Sequence, residues 1–165
     1  MELKFWIIPI AALIPMIMGF LWYGPIMGKA WMKETGMTEE KAKEGNMAVI
    51  FGLSYLLSNF LGFALLSITV HQMGIFSLFA GQEGFGVAGG AAQVQFEAVV
   101  APLKDLHRTF GHGAFHGAIA GVCIAFTILA TNAMFEMKSW KYIWINSGYW
   151  IITMALMGGV ICQFV

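Results

Sequence analysis

The sequence predicts an all-α polytopic membrane protein with four transmembrane helices. Hydrophobic residues make up 59% of its 165 residues and charged residues only 11%, a balance outside the usual range of soluble domains. Four windows without Asp, Glu, Lys or Arg are each long enough to cross the hydrocarbon core of a bilayer. Their apolarity is continuous and lacks the alternation of barrel strands. We predict one domain, residues 1–165, with spans at residues 5–23, 47–73, 113–135 and 142–165.

The first predicted span contains two prolines and ends in an aromatic pair. Pro9 and Pro15 predict a bend, because proline cannot donate a backbone hydrogen bond within a helix. Trp22 and Tyr23 suit the membrane interface. The run lacks a signal-type cleavage site, so we interpret it as a mature span.

A short interfacial helix is predicted after span one. Gly24-Pro25 ends the span, and residues 26–33 place apolar side chains on one side and two lysines elsewhere. Thr38 then provides an N-cap residue, with Glu39 and Glu40 in the first turn, where the helix dipole favours anions.

A long Gly-rich segment separates predicted spans two and three. Residues 74–111 are rich in glycine at positions 81–90 and apolar at positions 94–103. Long segments of this kind are often functional. We expect a partly folded extracytoplasmic cap that touches the membrane surface.

The lysines and the single arginine predict the orientation. The loops after spans one and three carry six of these residues, and the opposite side carries three. Because the richer side is normally cytoplasmic, we predict a bacterial inner-membrane protein with both termini outside the cytoplasm. The richer set is Lys29, Lys33, Lys41, Lys43, Lys138 and Lys141, and the poorer set is Lys4, Lys104 and Arg108.

All four histidines map to the extracytoplasmic side of this predicted topology. His112 and His116 are four residues apart and therefore lie on one helix face, a spacing that lets two imidazoles bind one metal ion. His71 or His107, with Asp105 or Glu97, could complete the shell. A divalent metal site is one hypothesis. The other is that these side chains bond to loop carbonyls, water or lipid headgroups; a bis-histidine haem is a further alternative.

A glycine ridge lies next to this histidine pair. Gly113, Gly117 and Gly121 repeat every fourth residue, which allows another helix to approach closely. We interpret the ridge as a helix-packing surface.

Polar side chains within the spans are few, and three are asparagines. Asn132 and Asn146 flank the turn between spans three and four at similar depth, so we predict a hydrogen bond between them. Asn59 in span two could belong to a substrate or proton path. No charged residue lies at mid-membrane beside it, which disfavours ion-coupled transport.

Other functional classes are disfavoured by what the sequence lacks. Nine basic and nine acidic residues cancel, so no basic surface suited to nucleic acid is present. Nucleophile-elbow, zinc-protease and phosphate-loop motifs are missing, and no span carries paired carboxylates. We therefore predict no catalytic residues and no cofactor beyond the possible metal ion, and a non-enzymatic role is favoured.

Several motifs along the whole chain resemble one family. They are Trp22-Tyr23-Gly24-Pro25, Gly28-Lys29-x-Trp31, the Gly36-Met37-Thr38-Glu39-Glu40 turn, Asn132-Ala133-x-Phe135-Glu136-x-x-Ser139-Trp140, and Ile145-Asn146-x-Gly148-Tyr149. With them the chain resembles the bacterial domain of unknown function 1761 family. The resemblance implies a small four-span bacterial membrane protein and transfers no functional residues. Relatives often have a shorter segment between spans two and three.

Three functional hypotheses follow from the sequence. The leading one is a non-enzymatic protein that acts in the lipid bilayer through helix packing, as a homo-oligomer or as an accessory subunit of a membrane complex. The second is a metal-ion or small-molecule binding or transport protein that uses the histidines. The third is a membrane metalloenzyme, which also requires an open coordination position and a nearby acid or base such as Glu97.

Overall fold

The computed structural model describes residues 3–165, and within that range the chain forms helices and no strand. Four helices are long and apolar enough to cross a membrane, which confirms the predicted four-span, all-α fold. Below, span one is Ile7–Ile26, span two Met47–Thr69, span three Phe110–Phe135 and span four Trp140–Phe164. Span two therefore ends four residues before its predicted boundary, and span three begins three residues before its predicted start.

Span four is the centre of the bundle. Within its most apolar window 56% of the residues are buried, against 22–28% in the other three spans. Met157 and Ile161 of span four pack in one core with Ile8 of span one and Leu65 of span two. The outer faces of the other spans expose large apolar side chains, as expected where a helix faces lipid.

Span one breaks near its middle, as its prolines predict. Helical structure stops at Ala11 and resumes at Ile14. The Leu13 N–H donates to the Ile10 carbonyl (3.1 Å), which leaves the Pro9 carbonyl without its helical donor. The Tyr55 hydroxyl of span two donates to that carbonyl (3.2 Å). Neighbouring helices thus satisfy backbone groups that the break exposes.

Between spans one and two lie the short helices Gly28–Thr35 and Glu39–Lys43. Gly36 ends the first with a left-handed backbone (φ 67°), where glycine is strain-free. The Thr38 hydroxyl accepts a hydrogen bond from the Lys41 N–H (3.2 Å), so the predicted N-cap is confirmed. The interfacial position of the first helix stays a prediction.

The predicted hydrogen bond between Asn132 and Asn146 is wrong. Asn132 is exposed, whereas the Asn146 side chain accepts from the Tyr23 hydroxyl (3.0 Å) and donates to the Tyr142 carbonyl (2.9 Å). The family-like motifs of spans one and four therefore meet through Tyr23 and Asn146. Asn59 is half-buried, and its amide donates to the Tyr55 carbonyl one turn earlier (2.8 Å), as within an ordinary helix.

The Gly-rich segment is a helical hairpin. Helices Gln72–Phe79 and Ala91–Val100 flank a glycine-rich turn, and Ala101–Leu103 adds a 3₁₀ turn. Phe79, Phe85 and Phe96 pack against one another with ring centroids 5.3–6.5 Å apart. An aromatic cluster thus holds this hairpin together. Its extracytoplasmic location and contact with the membrane surface stay predictions.

Candidate metal centre

The chain places His71 at a break that follows span two. The regular helix ends at Thr69, and Val70 is fully buried with a non-helical backbone (φ −106°, ψ 96°). His71 is the residue before the next helix, Gln72–Phe79. The break brings its ring beside the first turns of span three.

His112 and His116 project from those first turns. Thr109 caps the helix, because its hydroxyl accepts a hydrogen bond from the His112 N–H (3.3 Å). One helical turn separates the two histidines, and their ring centroids are 4.5 Å apart. Both residues are half-buried.

The three histidines form a compact group. The Nε2 atoms of His71 and His112 are 2.8 Å apart, so in this arrangement one ring donates a proton to the lone pair of the other. One ring nitrogen from each of His71, His112 and His116 lies within 4.8 Å of the others. The structure thus brings together the predicted pair, His112 and His116, and His71, one of the two histidines that could complete the shell.

His107 lies beside this group as a fourth imidazole. Its ring stacks on that of His112, with centroids 4.7 Å apart and planes 16° from parallel. Its backbone is left-handed (φ 61°), which is uncommon outside glycine. Among the described residues the group that could share one ion is the other three histidines. His107 therefore flanks the group.

The structure does not bring the two predicted carboxylates into the group. Asp105 lines a separate cavity with Lys4, Lys104 and Arg108. Glu97 accepts a hydrogen bond from the Gln93 amide (2.6 Å) on the helix Ala91–Val100.

Polar contacts that the sequence did not indicate hold the loop next to the group. The buried Gln72 amide donates to the carbonyls of Leu103 (2.7 Å) and Leu106 (3.0 Å). The buried Cys162 Sγ of span four lies 3.2 Å from the Thr69 carbonyl oxygen and 3.3 Å from that of His107, so its single S–H is shared between these two acceptors. The one sequence feature that could have indicated these contacts is Gln72, a polar residue that follows His71 at the end of an apolar run. These bonds fix the end of span two and the loop around the imidazoles.

The glycine ridge lies directly behind the two histidines of span three and contacts span four. A Cβ atom on Gly113 would stand 2.2 Å from the Gly158 carbonyl oxygen, and one on Gly117 would stand 2.1 Å from that of Met154. A Cβ on Gly121 would approach Ile151 Cα to 2.7 Å. The ridge is thus occupied by span four of the same chain, and the homo-oligomer stays a prediction.

Partial loss of hydration, together with the neighbouring His116 and His107, lowers the pKa of His71 below its usual range. A neutral imidazole offers the lone pair that a metal ion requires. His71 therefore remains available as a ligand to a lower pH than an isolated histidine would.

The fold and this group define a helical membrane protein with four spans and a cluster of imidazoles at one end of the bundle. The chain belongs to the family described as protein of unknown function (DUF1761), whose model matches residues 6–162. No curated protein matches the chain significantly. No solved structure does so either.

Proposed function

We propose that this protein binds a divalent transition-metal ion at one end of its helix bundle. The observation that carries the proposal is the convergence of His71, His112 and His116, whose ring nitrogens lie within 4.8 Å of one another although His71 is 41 residues from His112. Two separate chain segments thus supply three ligands to one point.

The geometry suits a tetrahedral ion after small side-chain movements. At Zn–N distances of about 2.0–2.1 Å, two imidazole nitrogens on one ion stand about 3.3 Å apart. The His71–His112 pair at 2.8 Å would open by about 0.5 Å, and His116 would turn inward. Three imidazoles without a carboxylate favour Zn²⁺, Cu²⁺, Ni²⁺ or Fe²⁺ over Mg²⁺ and Ca²⁺.

A purely structural role explains the group less well. Below the usual histidine pKa, several imidazolium charges would repel one another at these distances, so the cluster would destabilise the helix ends that it joins. When a metal ion is bound, the neutral imidazoles are instead attracted to the same cation, so their proximity becomes stabilising. Three protein ligands also leave a fourth position open to water or a further ligand. Binding is favoured over transport, because no Asp, Glu, Lys or Arg lies near the middle of any span.

We also propose that this site lies at the extracytoplasmic face of a bacterial inner membrane. The support is the excess of lysine in the loops at the other end of the bundle. We expect a carboxyl-terminal epitope to be digested by protease added outside intact spheroplasts. The same epitope inserted after Gly45 should be digested only after lysis; the reverse pattern would contradict this orientation.

The proposed site predicts one tight metal equivalent per chain. We expect protein purified without a histidine tag, stripped with a chelator and titrated with Zn²⁺ at pH 7.5 against a competing chelator, to bind one ion. The variant His116→Ala should weaken binding by about 100-fold or more, because a ligand is lost outright.

His107→Ala is the matched control. It removes an imidazole from the same surface but not from the converging three, so its affinity should stay within about tenfold of the parent. Two results would refute the proposed function: no bound zinc in the parent, or equal losses in the two variants.

A further inference from the structure

We propose that the same end of the bundle holds an anionic glycerophospholipid, with its phosphate in a cationic cavity and an acyl chain in a deeper apolar groove. This site is separate from the imidazole group and does not depend on metal binding. It combines two features that lie between spans one, three and four.

The cationic cavity has a volume of about 320 Å³ and is lined by Lys4, Lys104 and Arg108, and Asp105 is the one acidic side chain among the described residues of its lining. Among the residues that the structure describes, none of these three cations forms an ion pair with a carboxylate. The Arg108 Nε–H donates to the Cys162 carbonyl (2.7 Å), which holds the guanidinium against span four. The described side chains of the lining thus carry two net positive charges, and Arg108 supplies a guanidinium held in place, as a phosphate requires.

The depth of this cavity matches the lipid headgroups. Lys4 lies three residues before span one, and Arg108 lies two residues before span three. The remaining lining residues, 163–165, lie at the end of span four and directly after it. Cations located where three spans leave the hydrocarbon stand at the level of phospholipid phosphates.

An apolar groove of about 220 Å³ lies deeper between the same three spans. It is lined by Ile14, Ile17 and Met18 of span one, Phe110 of span three, and Leu156 and Val160 of span four. Leu156 lies eight residues before Phe164, which corresponds to about 12 Å along the helix axis. An acyl chain that descends from a headgroup in the cavity would pass along this groove.

The two features together select the ligand class. A soluble phosphate would use the cavity alone and leave the groove to bulk lipid. A zwitterionic headgroup would place its ammonium among three cations, with Asp105 as the one acidic side chain in the part of the lining that the structure describes. A phospholipid with net negative charge, such as phosphatidylglycerol, satisfies both the cavity and the groove.

Native mass spectrometry of the delipidated full chain, titrated with phosphatidylglycerol or phosphatidylcholine, tests this site. We expect phosphatidylglycerol to bind at least about tenfold more tightly. The double variant Lys4→Gln, Lys104→Gln should weaken phosphatidylglycerol binding by about tenfold or more, since each removes a cation near the phosphate. Arg108 is left unchanged because it also holds the loop to span four.

Lys29→Gln with Lys43→Gln is the matched control, since it removes two exposed lysines from the loop at the other end of span one. It should leave phosphatidylglycerol affinity unchanged. Ile17→Trp, at an exposed groove position, should fill the groove and weaken lipid binding. Thermal melting of every variant establishes that it is folded.

Competition separates the two sources of phosphate. Inorganic phosphate and glycerol 3-phosphate at millimolar concentration should displace little phosphatidylglycerol, because neither fills the groove. Displacement at concentrations similar to the lipid would overturn the lipid assignment. Equal affinity for the two lipids, or a Lys4/Lys104 variant that binds like the control, would also overturn it.

Discussion

Replacing Gly117 with leucine is expected to prevent the chain from folding stably. A Cβ atom at this position would stand 2.1 Å from the Met154 carbonyl oxygen and 2.8 Å from its carbon. Both are backbone atoms of the central helix, so no side-chain rotation relieves the clash. Spans three and four would have to separate and lose the close packing on which helix association in lipid depends. We expect a loss of about 3 kcal/mol or more.

Thermal melting in detergent, with size-exclusion profiles, measures this effect. Gly111→Leu is the matched control, because it makes the same change on the same helix at a site where a Cβ would meet no atom within 4 Å. That variant should melt close to the parent. A Gly117→Leu protein with the parent's melting temperature would show that spans three and four do not meet as described.

The four spans could be predicted because the bilayer leaves a chain little choice. Any charge-free apolar run of this length must form a helix to satisfy its backbone in hydrocarbon. The end of span two was missed by four residues because the apolar run continues past Thr69. The apolar composition does not predict the helix break at Val70, because the break is a consequence of tertiary packing. That break is what places His71 in the imidazole group.

The candidate site was predictable only where its residues are local. The spacing of His112 and His116 is a property of one helix, and it suggested a shared ligand before any fold was known. The choice of companion, His71 rather than His107, and the separation of Asp105 and Glu97 from the group depend on how distant segments pack. The glycine ridge shows the same limit. Its sequence indicates close helix contact, but nothing local to it identifies span four of the same chain as the partner.

The wrong pairing of Asn132 with Asn146 shows that depth in the membrane alone does not predict which side chains meet. Asn132 and Asn146 lie at similar depth, yet a helix side chain also has a direction around the axis. Asn132 faces outward, whereas Asn146 meets the Tyr23 hydroxyl, which is 123 residues away in the chain. Two side chains on different helices can pair only when they match both in depth and in direction around the helix axis. The sequence alone indicates the depth.

Zinc affinity is expected to fall between pH 7.5 and pH 5.5, by up to about 10³-fold. Each ligating imidazole must be neutral to bind, so protons compete with the ion. A histidine with its usual pKa of about 6.5 costs about tenfold in affinity over this interval, and three such ligands set the upper limit. The pKa of His71 is lowered by loss of hydration and by its histidine neighbours. His71 therefore gains a proton later as the pH falls and contributes less than tenfold.

Competition titrations against a chelator calibrated at both pH values measure this fall. His107→Ala should show a similar or slightly steeper fall, because His107 flanks the converging group and helps to lower the pKa of His71. An affinity that does not fall at all would mean that no histidine exchanges a proton for the ion, and the site with three imidazoles would then be wrong even if zinc bound tightly.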